Sequence, residues 1–302
     1  MQEKLNVNIP ERISEFETIM RHFRVKNIIY KVLFRGKGLE FDSYRDFTQD
    51  DDASFIDWKA SKRANKLLVR QYIEERDLKI FFVIDVGSNM VFGSTEKLKC
   101  EYATEVIAAL SHLILISGDR VGFAFVGNEI KEFNYPKNDI RVHQVLTDSL
   151  IKPETYEEKV SNFPASLKFL LNYLDKSISA VFLISDFLNI DESCEKILTS
   201  FGSKFETIAL IIRDPLDEEL PEINEEIVIE DPVSGEQIGI NPITIYSKYR
   251  NFMKERNEKL HSLFNRSGID FLKLRTDTYF PPILASFLKE RVERRKFILP
   301  RG

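Results

Sequence analysis

Two aspartates stand where apolar runs end, and that placement is where chemistry could arise. Lys79-Ile-Phe-Phe-Val-Ile84 leads into Asp85, and Ala180-Val-Phe-Leu-Ile184 leads into Ser185-Asp186. Short continuous apolar runs read as strands buried on both faces of a sheet. In open α/β sheets, ligands bind outside the carboxyl ends of the strands, where the strand order reverses. That rule singles out Asp85 and Asp186. The plainer reading of either aspartate is a cap on the next helix or a bond to a backbone amide.

Other chemistry finds little support in the residues. His22, His112, His143 and His261 are scattered, with no second ligand at helical spacing. There is no Gly-x-Ser-x-Gly elbow, no Ser-His-Asp or Cys-His arrangement, and no Gly-x-x-x-x-Gly-Lys phosphate loop. Asp50-Asp51-Asp52 could attract cations, although such a run is more often a solvated turn. Trp58, the only tryptophan, is expected to pack between a small domain and the sheet. Lys289, Arg291, Arg294, Arg295, Lys296 and Arg301 read as a solvated basic helix face, or more weakly as a dock for an acidic partner.

The elements that must position the aspartates follow from the hydrophobic pattern. Ile13, Phe16, Ile19, Met20 and Phe23 recur at helical spacing. From Val25 to Asp77, short apolar pieces alternate with turn formers, as in a small β/loop unit. Beyond Leu78, strands and helices alternate. A helix through Tyr102, Val106, Leu110 and Ile114 is expected to be capped by Ser94 or Thr95. Strand Val121–Val126 turns at Gly127-Asn128 into an antiparallel edge strand, Glu129–Phe133. Helices around Ile140–Leu150, Ala165–Leu174 and Glu192–Ser200 and the strand Thr207–Ile212 continue the series. Tyr246–Phe264, Phe271–Leu274 and a last helix through Arg294 close it. Alternation of this kind implies a doubly wound, mostly parallel α/β sheet with helices on both faces. Two units are expected: 1–77, a helix with a small β/loop subdomain, and 78–302, the α/β domain.

Composition bounds the function. With 302 residues and 43% hydrophobic side chains the chain can bury a large core. A net charge of −5 argues against a duplex nucleic-acid binder, which needs a basic footprint. Cys100 and Cys194 match no metal spacing and fit free thiols in a reducing compartment. Met1–Glu11 lacks the apolar core of a signal peptide, and no apolar run reaches membrane-spanning length, so a cytoplasmic location is expected.

Two stretches carry a family resemblance. The block from Arg45 to Arg63, with Asp51, Ile56, Asp57 and Trp58 inside it, resembles the signature of the MoxR-associated von Willebrand factor A-like proteins, the domain of unknown function numbered fifty-eight. Glu74-Glu75-Arg76-Asp77, Asp85-Val-Gly-Ser-Asn-Met90, Gly118-Asp119-Arg120-Val121-Gly122 and Ile184-Ser185-Asp186-Phe187 follow in that family's order. The departures are specific. Asp50 and Ser54 replace a glycine and an arginine, and the Asp-x-Ser-x-Ser metal motif reads Asp85-x-Gly87-x-Asn89. For a threonine near the start of a later helix the nearest candidates are Ser161 and Asn162.

The resemblance implies a von Willebrand factor A-like fold and a Mg²⁺ site built from Asp85, Asn89 and Asp186, weakened because Gly87 has no side-chain oxygen. Such a metal bridges to an acidic side chain of a partner. The implied contact set is Asp85, Ser88, Asn89, Ser161, Asn162 and Asp186. It further implies a non-enzymatic adaptor or chaperone-like partner of a MoxR-type AAA+ ATPase, acting on client proteins without membrane insertion or nucleic acid. The alternative is a divalent-metal-assisted hydrolase using Asp51, Asp85 and Asp186. It lacks a nearby general base, and only two of its carboxylates are well placed.

Overall fold

The computed structural model describes residues 5–22, 39–48, 56–74, 78–156, 162–221, 223–230 and 237–296. Helix α1 (Ile9–His22) comes first, followed by strand β1 (Leu39–Asp46), helix α2 (Trp58–Ala64) and strand β2 (Leu68–Glu74). Then come β3 (Lys79–Asp85), α3 (Lys99–Ile116), β4 (Arg120–Val126), β5 (Ile130–Lys137), α4 (Ile140–Leu150) and α5 (Phe163–Tyr173). The chain continues through β6 (Ala180–Ser185), α6 (Glu195–Lys204), β7 (Glu206–Arg213), β8 (Ile227–Glu230) and β9 (Gln237–Ile240). It ends with α7 (Pro242–Arg266), β10 (Asp270–Arg275) and α8 (Phe280–Lys296).

The expected doubly wound sheet is present. Six strands lie in the order β10-β7-β6-β3-β4-β5. All neighbours are parallel except β4 and β5, which pair antiparallel at one edge. Pro136 sits in that edge strand, where no second neighbour requires its missing N–H. Gly122 opposite it leaves room for the ring: a Cβ there would lie 2.6 Å from Pro136 Cδ. From β3 the chain goes first to β4 on one side, and later to β6 on the other. The strand order therefore reverses between β3 and β6, and Asp85 and Asp186 flank that point.

Alternation along each strand divides the core in two. Ile80, Phe82 and Ile84 face one layer, with α1, α3, α4 and α8. Phe81 and Val83 face the other, with α5, α6 and α7. Helix α3 is buried nearly all round, because the sheet covers one side and α1 packs on another. Its first turns carry two buried glutamates. Glu101 accepts from Asn6 N at 2.6 Å and Leu98 N at 2.9 Å, and Glu105 accepts from Asn8 N at 2.6 Å. Carboxylates suit the positive end of a helix, and here they also tie down the segment before α1. Helix α1 thus packs against α3 and α8, within the α/β layer.

Several local expectations need correction. Residue 98, not Ser94 or Thr95, precedes α3, and Glu101 satisfies its amide. Arg291 is not on a solvated face. It is buried, and its guanidinium pairs with Glu206 and with Asp270 (2.5 Å), tying α8 to the amino ends of β7 and β10. Trp58 does not pack between domains but is 67% exposed at the start of α2. Both cysteines are buried free thiols. Arg301 lies outside the described residues.

Candidate functional site

Asp85 and Asp186 open the loops that leave two adjacent parallel strands, and they meet at the same end of the sheet. Strand register brings this about: Ile84 pairs with Ile184, so Asp85 stands beside Ser185, whose hydroxyl donates to Asp85 Oδ2 at 2.6 Å. Gly87 N donates to Asp85 Oδ1 at 3.0 Å, and Asn89 Nδ2 donates to Oδ2 at 2.9 Å. Both aspartates are 1% exposed. Burial pushes the Asp85 carboxyl above its ordinary pKa and the charge of Asp186 pushes it further, against the bonds from Ser185, Asn89 and Gly87.

Asp186 has a partner that the sequence did not advertise. Lys99, the first residue of α3, reaches down so that its Nζ lies 2.8 Å from Asp186 Oδ2 and 3.2 Å from Asp217 Oδ2. Asp186 Oδ1 accepts from Leu188 N at 3.1 Å. Lys99 is only 2% exposed, and burial disfavours its charge. Asp186 and Asp217 more than offset that, leaving its pKa above the ordinary lysine value.

The network continues past β7. Asp217 accepts from Asp214 N, and the Asp214 carboxylate binds Ser94 N at 2.7 Å, Ser94 Oγ at 2.5 Å and Thr276 Oγ1 at 3.3 Å. Loops after β3, β6, β7 and β10 are thereby cross-linked by buried carboxylates. Arg213 is buried next to them. It reaches Asn257 Oδ1 at 3.4 Å through Nη2, while its Nε and Nη1 have no hydrogen-bond partner among the described residues.

The remaining sequence candidates separate. Asn162 is exposed and caps α5, accepting from Ala165 N at 3.4 Å, and its own amide bonds Gly127 O. Ser161 and Asp51 lie outside the described residues. Ser88 is buried, and its hydroxyl has no hydrogen-bond partner among the described residues. In the signature block, Asp57 caps α2 by accepting from Lys59 N and Ala60 N, and takes a bond from Tyr44 Oη at 3.0 Å. Ile56 bridges to Val69, and Arg45 and Arg63 are exposed. Sequence reading missed Lys99, Asp217 and Asp214, and gave Ser94 only the role of a helix cap. Asp214 was within reach, since it too follows a buried apolar strand. Lys99 gave no signal.

Mg²⁺ requires near-octahedral oxygen ligation, and these donors do not fit it. The Lys99 ammonium takes one Asp186 oxygen at 2.8 Å, and Leu188 N donates to the other at 3.1 Å. Asn89 turns its amide hydrogens, not its carbonyl, toward Asp85. Gly87 has no side chain, and the Ser88 hydroxyl is one oxygen where several are needed. Among the described residues, no group of three or more His, Cys, Asp or Glu side chains could hold a metal ion.

The model of the family described as "Protein of unknown function DUF58" matches residues 43–260. The chain belongs to the DUF58 family. Among curated relatives, the uncharacterized protein Rv1480 of Mycobacterium tuberculosis is 26% identical over 263 residues, covering 86% of this chain and 81% of that one. The uncharacterized protein YeaD of Bacillus subtilis is 27% identical over 104 residues, 34% of this chain and 24% of that one. Among solved structures, BatB of Bacteroides thetaiotaomicron is similar at 12% identity and TM-score 0.49, covering 72% of this chain and 99% of that one. The VWA domain of SpRpn10 is similar at 7% identity and TM-score 0.42, covering 72% of this chain and 94% of that one. Likenesses this distant add nothing to the fold itself, a mostly parallel sheet between two helical layers. Among the described residues, no helix is long and apolar enough to cross a membrane.

Proposed function

We propose that this DUF58 chain is a non-enzymatic protein-interaction module, an adaptor or chaperone-like partner of a MoxR-type AAA+ ATPase, binding through the loops at the carboxyl end of the sheet. One observation carries the reading: the charged groups at the strand tips are spent on holding four loops together. Asp85, Asp186 and Asp217 are buried, and each accepts hydrogen bonds from the chain itself. Groups in that state shape a surface rather than attack a substrate, which a metal-assisted hydrolase would require of Asp85 and Asp186.

What meets a partner is then the rim. Asn89 is half-buried, and Val91, Asn162 and Asn189 are exposed. On the loop that Asp186 opens, Ile190 begins a groove of about 320 Å³ walled by Phe252, Leu260 and Leu263 of α7 and edged by Asp191 and Arg256. An apolar floor with a charged edge suits a protein segment.

The test is calorimetric titration of the full chain with the MoxR-type ATPase. Val91→Glu and Asn189→Arg are expected to weaken binding at least tenfold, and Asp85→Ala to weaken it by loosening the loops. Unchanged affinity in all three variants would remove this face from consideration. A divalent-dependent hydrolytic turnover that disappears in Asp85→Ala would favour the hydrolase instead.

A further inference from the structure

We propose that the Lys99 ammonium is a built-in cation standing where a divalent ion would otherwise sit, so that the crevice between β3 and β6 is formed without metal. Lys99 occupies the first turn of α3, where the unpaired amides and the helix dipole favour anions and disfavour a positive side chain. Local sequence preference therefore does not explain a lysine here. Tertiary partners do, because its Nζ lies 2.8 Å from Asp186 and 3.2 Å from Asp217, and 5.5 Å above the centre of the Phe92 ring. The side chain is 2% exposed, so this arrangement is part of the packed interior.

A metal ion and this ammonium exclude one another. A divalent ion bound to Asp186 would meet a like charge 2.8 Å from the same carboxylate oxygen, in an interior where both side chains are buried. The other carboxylate is equally committed. Asp85 accepts from an amide N–H, a side-chain NH₂ and the Ser185 hydroxyl, and that hydroxyl oxygen itself accepts from Phe187 N at 3.1 Å. Lys99, at the start of the helix that follows the β3 loop, instead ties the loops after β6 and β7 to that helix through Asp186 and Asp217. Whatever partner the surface takes, its affinity would then not follow the Mg²⁺ concentration.

The test uses the full chain stripped with EDTA, with Mn²⁺ followed by electron paramagnetic resonance and Mg²⁺ by calorimetry. Neither readout involves a partner, so the result stands apart from the proposed interaction. The wild type is expected to show no saturable uptake at millimolar metal and no change in Tm on adding metal. One Mn²⁺ bound per chain below millimolar concentration, lost in Asp186→Asn, would overturn the inference. Lys99→Ala vacates the ammonium and leaves the carboxylates, so it is expected to gain Mn²⁺ binding by at least tenfold and a metal-dependent rise in Tm. Should that variant not fold, Lys99→Gln, which keeps most of the volume, takes its place. A folded neutral variant that takes up no Mn²⁺ would likewise count against the lysine standing in a cation's place, and the wild-type titration decides the matter even if neither variant folds.

Discussion

Asp85 holds three donors of its own chain, and its removal leaves two buried ones, Gly87 N and Ser185 Oγ, without this acceptor. Asp85→Ala is expected to cost about 3 kcal/mol in urea unfolding, the scale of buried donors left unmatched. Lys99 is the more demanding residue. Lys99→Met leaves Asp186 and Asp217 buried without their cation, a loss of about 3–5 kcal/mol at neutral pH. The pH dependence has a definite sign. The folded-state pKa of Lys99 lies above its ordinary value of 10.5. Its contribution is therefore complete below 10.5 and is lost as pH rises from there through the folded value. Urea midpoints measured from pH 9 upward should fall more steeply in the wild type than in Lys99→Met. Parallel curves would mean that the ion pair adds nothing to stability.

Close approaches between elements set the next scale. Gly202 lies within α6, where alanine would ordinarily be preferred by about 1 kcal/mol. A Cβ there would stand 2.0 Å from Ser267 O at the end of α7, and that atom is backbone. Gly202→Ala should therefore destabilise by about 1–3 kcal/mol, against its helix propensity. A stabilised variant would show that α6 and α7 are less tightly joined. Helices α3 and α4 meet at a buried histidine: His143 Nδ1 lies 2.8 Å from Ser111 Oγ. Burial, aided by the neighbouring His112, lowers its pKa from 6.5 to about 4. A depressed histidine stabilises the fold at pH above 6.5, and this is lost as pH falls through 6.5 toward about 4. His143→Gln should flatten the stability profile in that window, as read by thermal unfolding.

Across the whole molecule, two layers of apolar side chains clasp one sheet, and charge is settled inside or left at the surface. The exposed Trp58 offers a direct check, being the only tryptophan. Acrylamide should quench native fluorescence nearly as strongly as fluorescence in denaturant, and added Mg²⁺ should not alter it. Strongly protected native emission would mean that the indole is covered after all. Arg291 links distant parts of the chain through Glu206 and Asp270, so Arg291→Ala should lower Tm far more than Lys289→Ala, which changes an exposed neighbour on the same helix.

Buried strands announce themselves in sequence, because an apolar run bounded by polar residues has few other ways to satisfy water. Hence β3, β6 and β7 were legible, and with them the position of Asp85 and Asp186 at strand ends. The DUF58 signature was legible too, and among the described residues it acts through the helix cap made by Asp57 and the bridge from Ile56 to Val69. What faces what was not legible. Lys99 meets Asp186 across 87 positions and Asp217 across 118, and Ser94 meets Asp214 across 120. Such pairings depend on strand order, which local pattern leaves open. Exposure is decided in the same way. Trp58 is apolar enough for a core and Arg291 polar enough for a surface, yet each is found in the other place, because packing of neighbouring elements determines which side chains water can reach.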